Sequence, residues 1–208
     1  MIVTNKTQNV SDLEYSSGQV LLINKDLHWT SFDVVNKIKY LLKHYKAEKN
    51  IKVGHGGTLD PLASGLMIVC TGKETKNQES YQCDSKEYIA TLVLGATTPS
   101  YDLETEVSFS GAFDHVTKEM LDTVLRQKFI GNIMQTPPAF SAKFVNGKRA
   151  YEYARQGKEV KMEAKEITIS SIEILDFNLP EVALKVNCSK GTYIRSLAHD
   201  IGKEMGCG

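Results

Sequence analysis

Residues 182–188 alternate, with Val182, Leu184, Val186 and Cys188 apolar and Ala183, Lys185 and Asn187 between them. A period of two with one apolar face defines a half-buried strand. Gly191 breaks the pattern, and Ile194, Leu197, Ala198, Ile201 and Met205 then recur at helical spacing as far as Gly206. The same change of period occurs elsewhere, in no regular order. Residues 19–25, 66–71 and 88–95 read as strands, the last apolar on both faces and therefore buried. Ile167, Ile169, Ile172 and Ile174 mark one or two more. Thr30 and Asp33 make a capping-box-like start to a helix over 31–46, in which Val34, Val35, Ile38, Leu41, Leu42 and Tyr45 share a face. Thr117 caps a second helix running to Gly131, and a short helix over 150–156 stops at Gly157. Asn146-Gly147 is a hairpin turn pair. Residues 47–58 and 96–116 read as loops, the second with room for a hairpin. With hairpin signals and no βαβ repeat, the pattern predicts an α+β fold, a mostly antiparallel mixed sheet flanked by helices.

Length adds a domain count. The 208 residues suit a single domain over 18–208, preceded by a polar, aperiodic segment, 1–17, that reads as a flexible N-terminal arm. No apolar run approaches 18 residues, which excludes a membrane-spanning helix, and the N-terminus lacks a basic-then-apolar leader. Cys70, Cys83, Cys188 and Cys207 lie far apart with no C-x-x-C, a poor framework for zinc or disulfides, so a reducing, cytoplasmic location is expected. Formal net charge is zero, but it is unevenly spread. Residues 36–52 carry a net +5, 143–165 a net +4 and 97–126 a net −4. Two basic segments balanced by an acidic one give either a positive face for a polyanion or three solvated faces.

Absences narrow the chemistry. The chain has no P-loop, no dinucleotide-binding glycine pattern, no H-E-x-x-H and no G-x-S-x-G. What stands out is Gly54-His55-Gly56-Gly57-Thr58-Leu59-Asp60-Pro61-Leu62-Ala63-Ser64-Gly65, with four glycines in twelve residues. Such a loop lets backbone approach another molecule closely, and Pro61 pushes Asp60 towards extended geometry. The same Asp-Pro pair also serves a plain turn, and the glycines name no reaction. Ser189-Lys190-Gly191-Thr192-Tyr193-Ile194-Arg195 lies at a strand-to-helix junction. Arg195 there either pairs with a carboxylate in a cleft or is an exposed first-turn arginine.

Taken together, GHGGTLDPLASGLM, KEYIATLVLG, ARQGKEV and CSKGTYIRSLAHDIG resemble the TruB family of tRNA pseudouridine synthases, in the family's own order and from about Gly18 to Gly208. The resemblance implies the pseudouridine-synthase catalytic domain and conversion of a T-loop uridine of tRNA to pseudouridine. It implies no cofactor, no metal and no obligate protein partner. Asp60 matches the family's catalytic aspartate and Arg195 the arginine that pairs with it. Tyr88 matches the tyrosine that stacks on the flipped base, and His55 and Tyr193 match substrate-contacting positions. Lys25 is a further possible contributor to substrate binding. Lys52, Lys148 and Arg149, with Lys37, Lys43, Lys49 and Lys158, are expected to meet RNA phosphates.

These residue types suit the reaction. A C–N bond breaks, the uracil turns, and a C–C bond forms at C5. A carboxylate serves as nucleophile or base, an arginine beside it favours its ionised form, and an aromatic ring holds the extruded base. The chain departs from the family where Lys-Pro-x-Gly-x-Thr/Ser becomes Lys25-Asp26-Leu27-His28-Trp29-Thr30-Ser31, losing Pro and Gly, and it is expected to be cut short at its C-terminal end. Two alternatives stand beside this reading: a non-catalytic module that grips and refolds tRNA, and a pseudouridine synthase acting on another RNA.

Overall fold

The computed structural model describes residues 1–46, 50–82 and 84–208. Lys49, expected at a phosphate, and Cys83 lie outside the described residues. Where one domain over 18–208 is expected, the chain divides into two compact units, Met1–Cys83 and Asp84–Gly208.

In the first unit, β1 (Ile2–Val3), β2 (Val20–Lys25), α1 (Ser31–Tyr45), β3 (Val53–His55) and β4 (Gly65–Thr71) follow in order. Among the described residues the strands pair as β1-β2-β4-β3, with β1 parallel to β2 and the remaining pairs antiparallel. The capping box is as the sequence predicts: Thr30 Oγ1 accepts from the Asp33 N–H, and Asp33 accepts from the Thr30 N–H. Val34, Val35 and Leu42 of α1 are buried in a core with Leu21, Val53, Met67 and Val69. Residues 1–17, expected as a flexible arm, contribute to it. Val3 and Tyr15 are buried, β1 pairs with β2, and Thr71 Oγ1 donates to the Tyr15 carbonyl at 2.8 Å. β3 falls within the expected loop 47–58, where a strand of three residues is too short to show a period. Residues 72–81 form a 3₁₀ helix.

In the second unit, β5 (Ser85–Val93), β6 (Ala96–Thr97) and β7 (Phe109–Ser110) lead to α2 (Lys118–Val124), which continues as a π-helical turn, Leu125–Phe129. Then come β8 (Gly131–Gln135), β9 (Phe144–Val145), β10 (Lys148–Arg149), α3 (Ala150–Ala154), β11 (Lys165–Asn178), β12 (Glu181–Ser189) and α4 (Ile194–Glu204). Among the described residues, β5-β12-β11-β8 is an antiparallel sheet, and β6-β7 and β9-β10 are small hairpins. The alternation at 182–188 is realised in full. Val182, Leu184, Val186 and Cys188 are buried against Leu197 and Ile201 of α4 and Leu121 and Leu125. Strand β5 departs from expectation. It is an edge strand paired only with β12 among the described residues, so Leu92 is buried while Ile89 is 71% exposed. Among the described residues no helix is long and apolar enough to cross a membrane.

His28 sits between β2 and α1 with φ +66°, the left-handed region, and its side chain is exposed. The family resemblance implies a glycine at this position. Histidine tolerates this region better than most residues, and β-branched side chains tolerate it worst. His28→Gly is therefore expected to stay within about 1 kcal/mol of the parent, since relief of strain offsets added freedom of the unfolded chain. His28→Val should lose about 1–2 kcal/mol. Urea unfolding followed by circular dichroism measures both, and equal stability of the two variants would contradict the strain.

Candidate active site

Asp60 opens a tight turn: the Ala63 N–H donates to its carbonyl at 3.0 Å, with Pro61 in the second position, where its fixed φ suits the turn. The Asp-Pro turn and the candidate aspartate are thus one structure. The carboxylate-bearing residue is half-buried. On its N-terminal side, Leu59 is held by Ser31, whose Oγ accepts from the Leu59 N–H at 2.9 Å and donates to the Leu59 carbonyl at 3.1 Å. On its C-terminal side, the His28 N–H donates to the Pro61 carbonyl at 2.8 Å. A strap over 28–31 therefore grips the chain on both sides of Asp60.

Lys25, expected among the substrate contacts, anchors this strap instead. It is wholly buried, and its Nζ donates to the carbonyls of Asp26 at 2.9 Å and Trp29 at 2.6 Å. Burial pushes the ammonium below its ordinary pKa, against the pull of the Asp60, Asp26 and Asp33 carboxylates. Two backbone carbonyls and nearby negative charge are what make a buried lysine tolerable.

His55 ends β3, and its Nδ1 lies 2.8 Å from the Gly57 carbonyl. A carbonyl only accepts, so Nδ1 carries the proton, and a neutral ring offers Nε2 as an acceptor. The glycines around it have separate causes. A side chain at Gly54 would meet only the movable end of the Gln78 side chain, whereas Gly65 has φ +126° and so serves the fold itself. Gly57 has open space around it and an ordinary φ. It is the glycine here that fits an approach by another molecule. Lys52 is exposed.

The second unit carries the remaining expected residues. Tyr88 lies on β5 opposite Val186, half-buried against the core. Tyr193 precedes α4. Its N–H and carbonyl are both held by the buried amide of Gln135, at 2.8 and 3.0 Å. Arg195 is in the first turn of α4 and is not a solvated arginine, its side chain being only 13% exposed. Its guanidinium donates to the carbonyls of Ser100 at 3.0 Å and Phe140 at 3.0 Å, and Nη1 lies 3.6 Å from the Asp102 carboxylate, itself 13% exposed. The loop presenting these groups is rigidly built. Thr98 Oγ1 donates to the Asp102 carbonyl and accepts from its N–H, Ser100 Oγ is 2.7 Å from Thr105 Oγ1, and Tyr101, at φ +60°, stacks on His199 with ring centroids 4.0 Å apart.

Lys148 is exposed on the β9-β10 hairpin. Arg149 has local partners: its guanidinium stacks 3.8 Å above the Phe144 ring and donates to the Ala142 carbonyl. Ser31, His28, Asp102 and Ser100 are the contributors that sequence reasoning does not single out. Ser31 and His28 fall in the segment 25–31 that departs from the family pattern, Ser31 also beside the capping sequence, and Ser100 and Asp102 fall in the acidic segment 97–126; those are the traces they leave.

Comparison with known proteins supplies the class. Residues 43–194 match the family model described as TruB family pseudouridylate synthase (N terminal domain). The chain is 55% identical over 196 residues to a tRNA pseudouridine synthase B of Phocaeicola vulgatus, covering 94% of this chain and 83% of that one. It is 53% identical over 196 residues to the Parabacteroides distasonis protein of the same name, with the same coverage. Among solved structures it is similar to a chain of a Cbf5-Nop10-Gar1 complex, with TM-score 0.67 and 29% identity over 93% of this chain and 46% of that one. It is also similar to one in an H/ACA RNP bound to a substrate RNA containing 2'-deoxyuridine, with TM-score 0.63 and 27% identity over 93% of this chain and 44% of that one. The chain belongs to the TruB family of pseudouridylate synthases, enzymes that isomerise uridine within RNA.

Proposed function

We propose that this chain converts a uridine in the T-loop of tRNA to pseudouridine in the cytoplasm, with Asp60 as the catalytic residue. The observation that carries the reading is 55% identity, over nearly the whole chain, to a protein named tRNA pseudouridine synthase B. The isomerisation is balanced within the nucleotide: the N1–C1′ bond breaks, the uracil rotates, C5 bonds to C1′, and the C5 proton leaves to solvent while N1 gains one. An oxygen of Asp60 acts on the nucleotide as nucleophile or base. The turn and the two-sided grip on residues 59–61 support that role, because a reacting carboxylate needs a fixed direction.

The target base must first leave its stack, at a cost of a few kcal/mol. Tyr88 returns about 1–3 kcal/mol by stacking on it, and a flat ring tolerates rotation of its partner. Arg195 is the cation that the family pairs with the aspartate, Tyr193 and His55 contact the nucleotide, and Gly57 lets the strand of RNA pass close. Lys52 and Lys148 meet phosphates on the T-arm, with Arg149 beside Lys148 shaping the hairpin as well as adding charge.

The chain alone, given an unmodified T-arm stem-loop transcript, should accumulate pseudouridine at a single loop position, read by carbodiimide modification and primer extension. RNA that binds with affinity dependent on salt but gains no pseudouridine would turn the reading to a binding module. Modification of an unrelated RNA in preference to the T-arm would redirect the substrate.

A further inference from the structure

We infer that Ser31 is a positioning residue for Asp60, acting through the backbone of Leu59; this rests on the reading that the Asp60 carboxylate does the chemistry. Ser31 is 28 residues from Leu59 in sequence, and it is 4% exposed. One hydroxyl both accepts from the Leu59 N–H and donates to the Leu59 carbonyl, so it fixes the peptide groups on either side of that residue. The second of these peptides leads directly into Asp60. The Pro61 carbonyl is tied to the His28 N–H, and the Asp60 carbonyl to the Ala63 N–H. Of these restraints, the Ser31 pair is the one made by a side chain, and so the one that a single substitution removes.

Ser31 is itself immobile. It is the first residue of α1, whose N-terminus is locked by the reciprocal Thr30–Asp33 cap. Helix α1 is thereby made the reference frame for the carboxylate: a rigid element, seated by Val34, Val35 and Leu42, reaches across to the loop that carries the reacting group. Without the hydroxyl, the Leu59 N–H and carbonyl lose their partner and the loop relaxes. A displacement of about 1 Å at a reacting group can cost on the order of 100-fold in rate.

Four variants test this on the unmodified T-arm stem-loop, with single-turnover rate, filter-binding affinity and melting temperature measured for each. Ser31→Ala should slow single turnover by roughly 10–100-fold with RNA affinity unchanged. Ser31→Thr, which keeps the hydroxyl, should recover most of the rate. Thr117→Ala removes a comparable helix cap, at the start of α2, without touching Leu59 or the Thr30–Asp33 cap, and at a comparable melting temperature it should remain near the parent rate. Asp60→Asn separates the two ideas: an active Asp60→Asn protein refutes the reading of Asp60. An inactive Asp60→Asn beside a Ser31→Ala protein of parent rate refutes the role of Ser31 alone. Equal rate losses in Ser31→Ala and Thr117→Ala at matched stability also overturn it, since that is the mark of a merely structural serine. If Ser31→Ala does not fold, Ser31→Cys takes its place, the thiol being a weaker donor and acceptor in the same space, and a parent rate there overturns the inference.

Discussion

Asp60→Asn is expected to lower single-turnover pseudouridine formation by three or more orders of magnitude, about 4 kcal/mol of transition-state stabilisation, while leaving the fold and RNA affinity in place. The substitution is nearly isosteric. The contacts that hold the loop run through the backbone of residues 59–61, to Ser31, to the His28 N–H and within the turn, and the buried Lys25 ammonium loses one of three neighbouring carboxylates while Asp26 and Asp33 remain. What disappears, on the proposed mechanism, is the anionic oxygen that attacks or deprotonates the nucleotide. Affinity for RNA is set mainly by phosphate contacts, which lie on other residues. Single-turnover rate, melting temperature and filter binding, taken together, separate loss of chemistry from loss of structure. A stable Asp60→Asn protein that still isomerises uridine at the parent rate would remove Asp60 from the mechanism.

Arg195→Ala should be damaging in a different way, with stability and activity falling together. The guanidinium is nearly enclosed, and it satisfies the carbonyls of Ser100 and Phe140 beside the Asp102 carboxylate. Truncation takes a cation away from a mostly buried carboxylate and a donor away from two carbonyls, a change that costs about 3 kcal/mol when the charge is well buried. Arg195→Lys should recover part of this, since an ammonium keeps the charge but cannot fork towards two carbonyls at once. Chemical denaturation of Arg195→Ala, Asp102→Ala and the double variant gives the coupling directly. If Arg195→Ala unfolds at the parent denaturant concentration, the arginine is not the keystone of the 98–105 loop.

The difference between the two predictions follows from what a sequence can display. Periodicity made α1, β12 and α4 legible, because each buries one stripe or face of its own side chains and the pattern is written locally. Asp60 and Arg195 were legible as chemical types at unusual junctions, and the family resemblance gave them roles. Their supports were not. Arg195 binds the carbonyls of Ser100 and Phe140, and a carbonyl has no residue signature. Ser31 and Leu59 are brought together by β2, α1 and β4 folding around one core, which no window of sequence contains. Strand β3 exists because β4 offers it a ladder through Val53, Gly54 and His55, and β8 because β11 does the same for residues 131–135. The two-faced apolar look of 88–95 misleads for a related reason: apolar residues on an edge strand are burial offered, not burial achieved. Residues 1–17 look aperiodic because their order is lent by β2 and by the Tyr15–Thr71 contact.

The left-handed backbone at His28 also bears on how this loop could have changed over time. A glycine codon reaches a histidine codon by two single-base changes, and the intermediate obtained by altering the second base first encodes aspartate. Aspartate and histidine are both among the side chains that accept a positive φ most readily. The one intermediate along that route suits the turn that delivers the 28 N–H to Pro61, so exchange of glycine for histidine does not require the strap to let go. The alternative order passes through arginine, which has no such ease in that region. Backbone geometry, rather than the chemistry of the side chain, thus sets which residues suit this position, and a search pattern that demands glycine there would pass over a chain whose loop is intact.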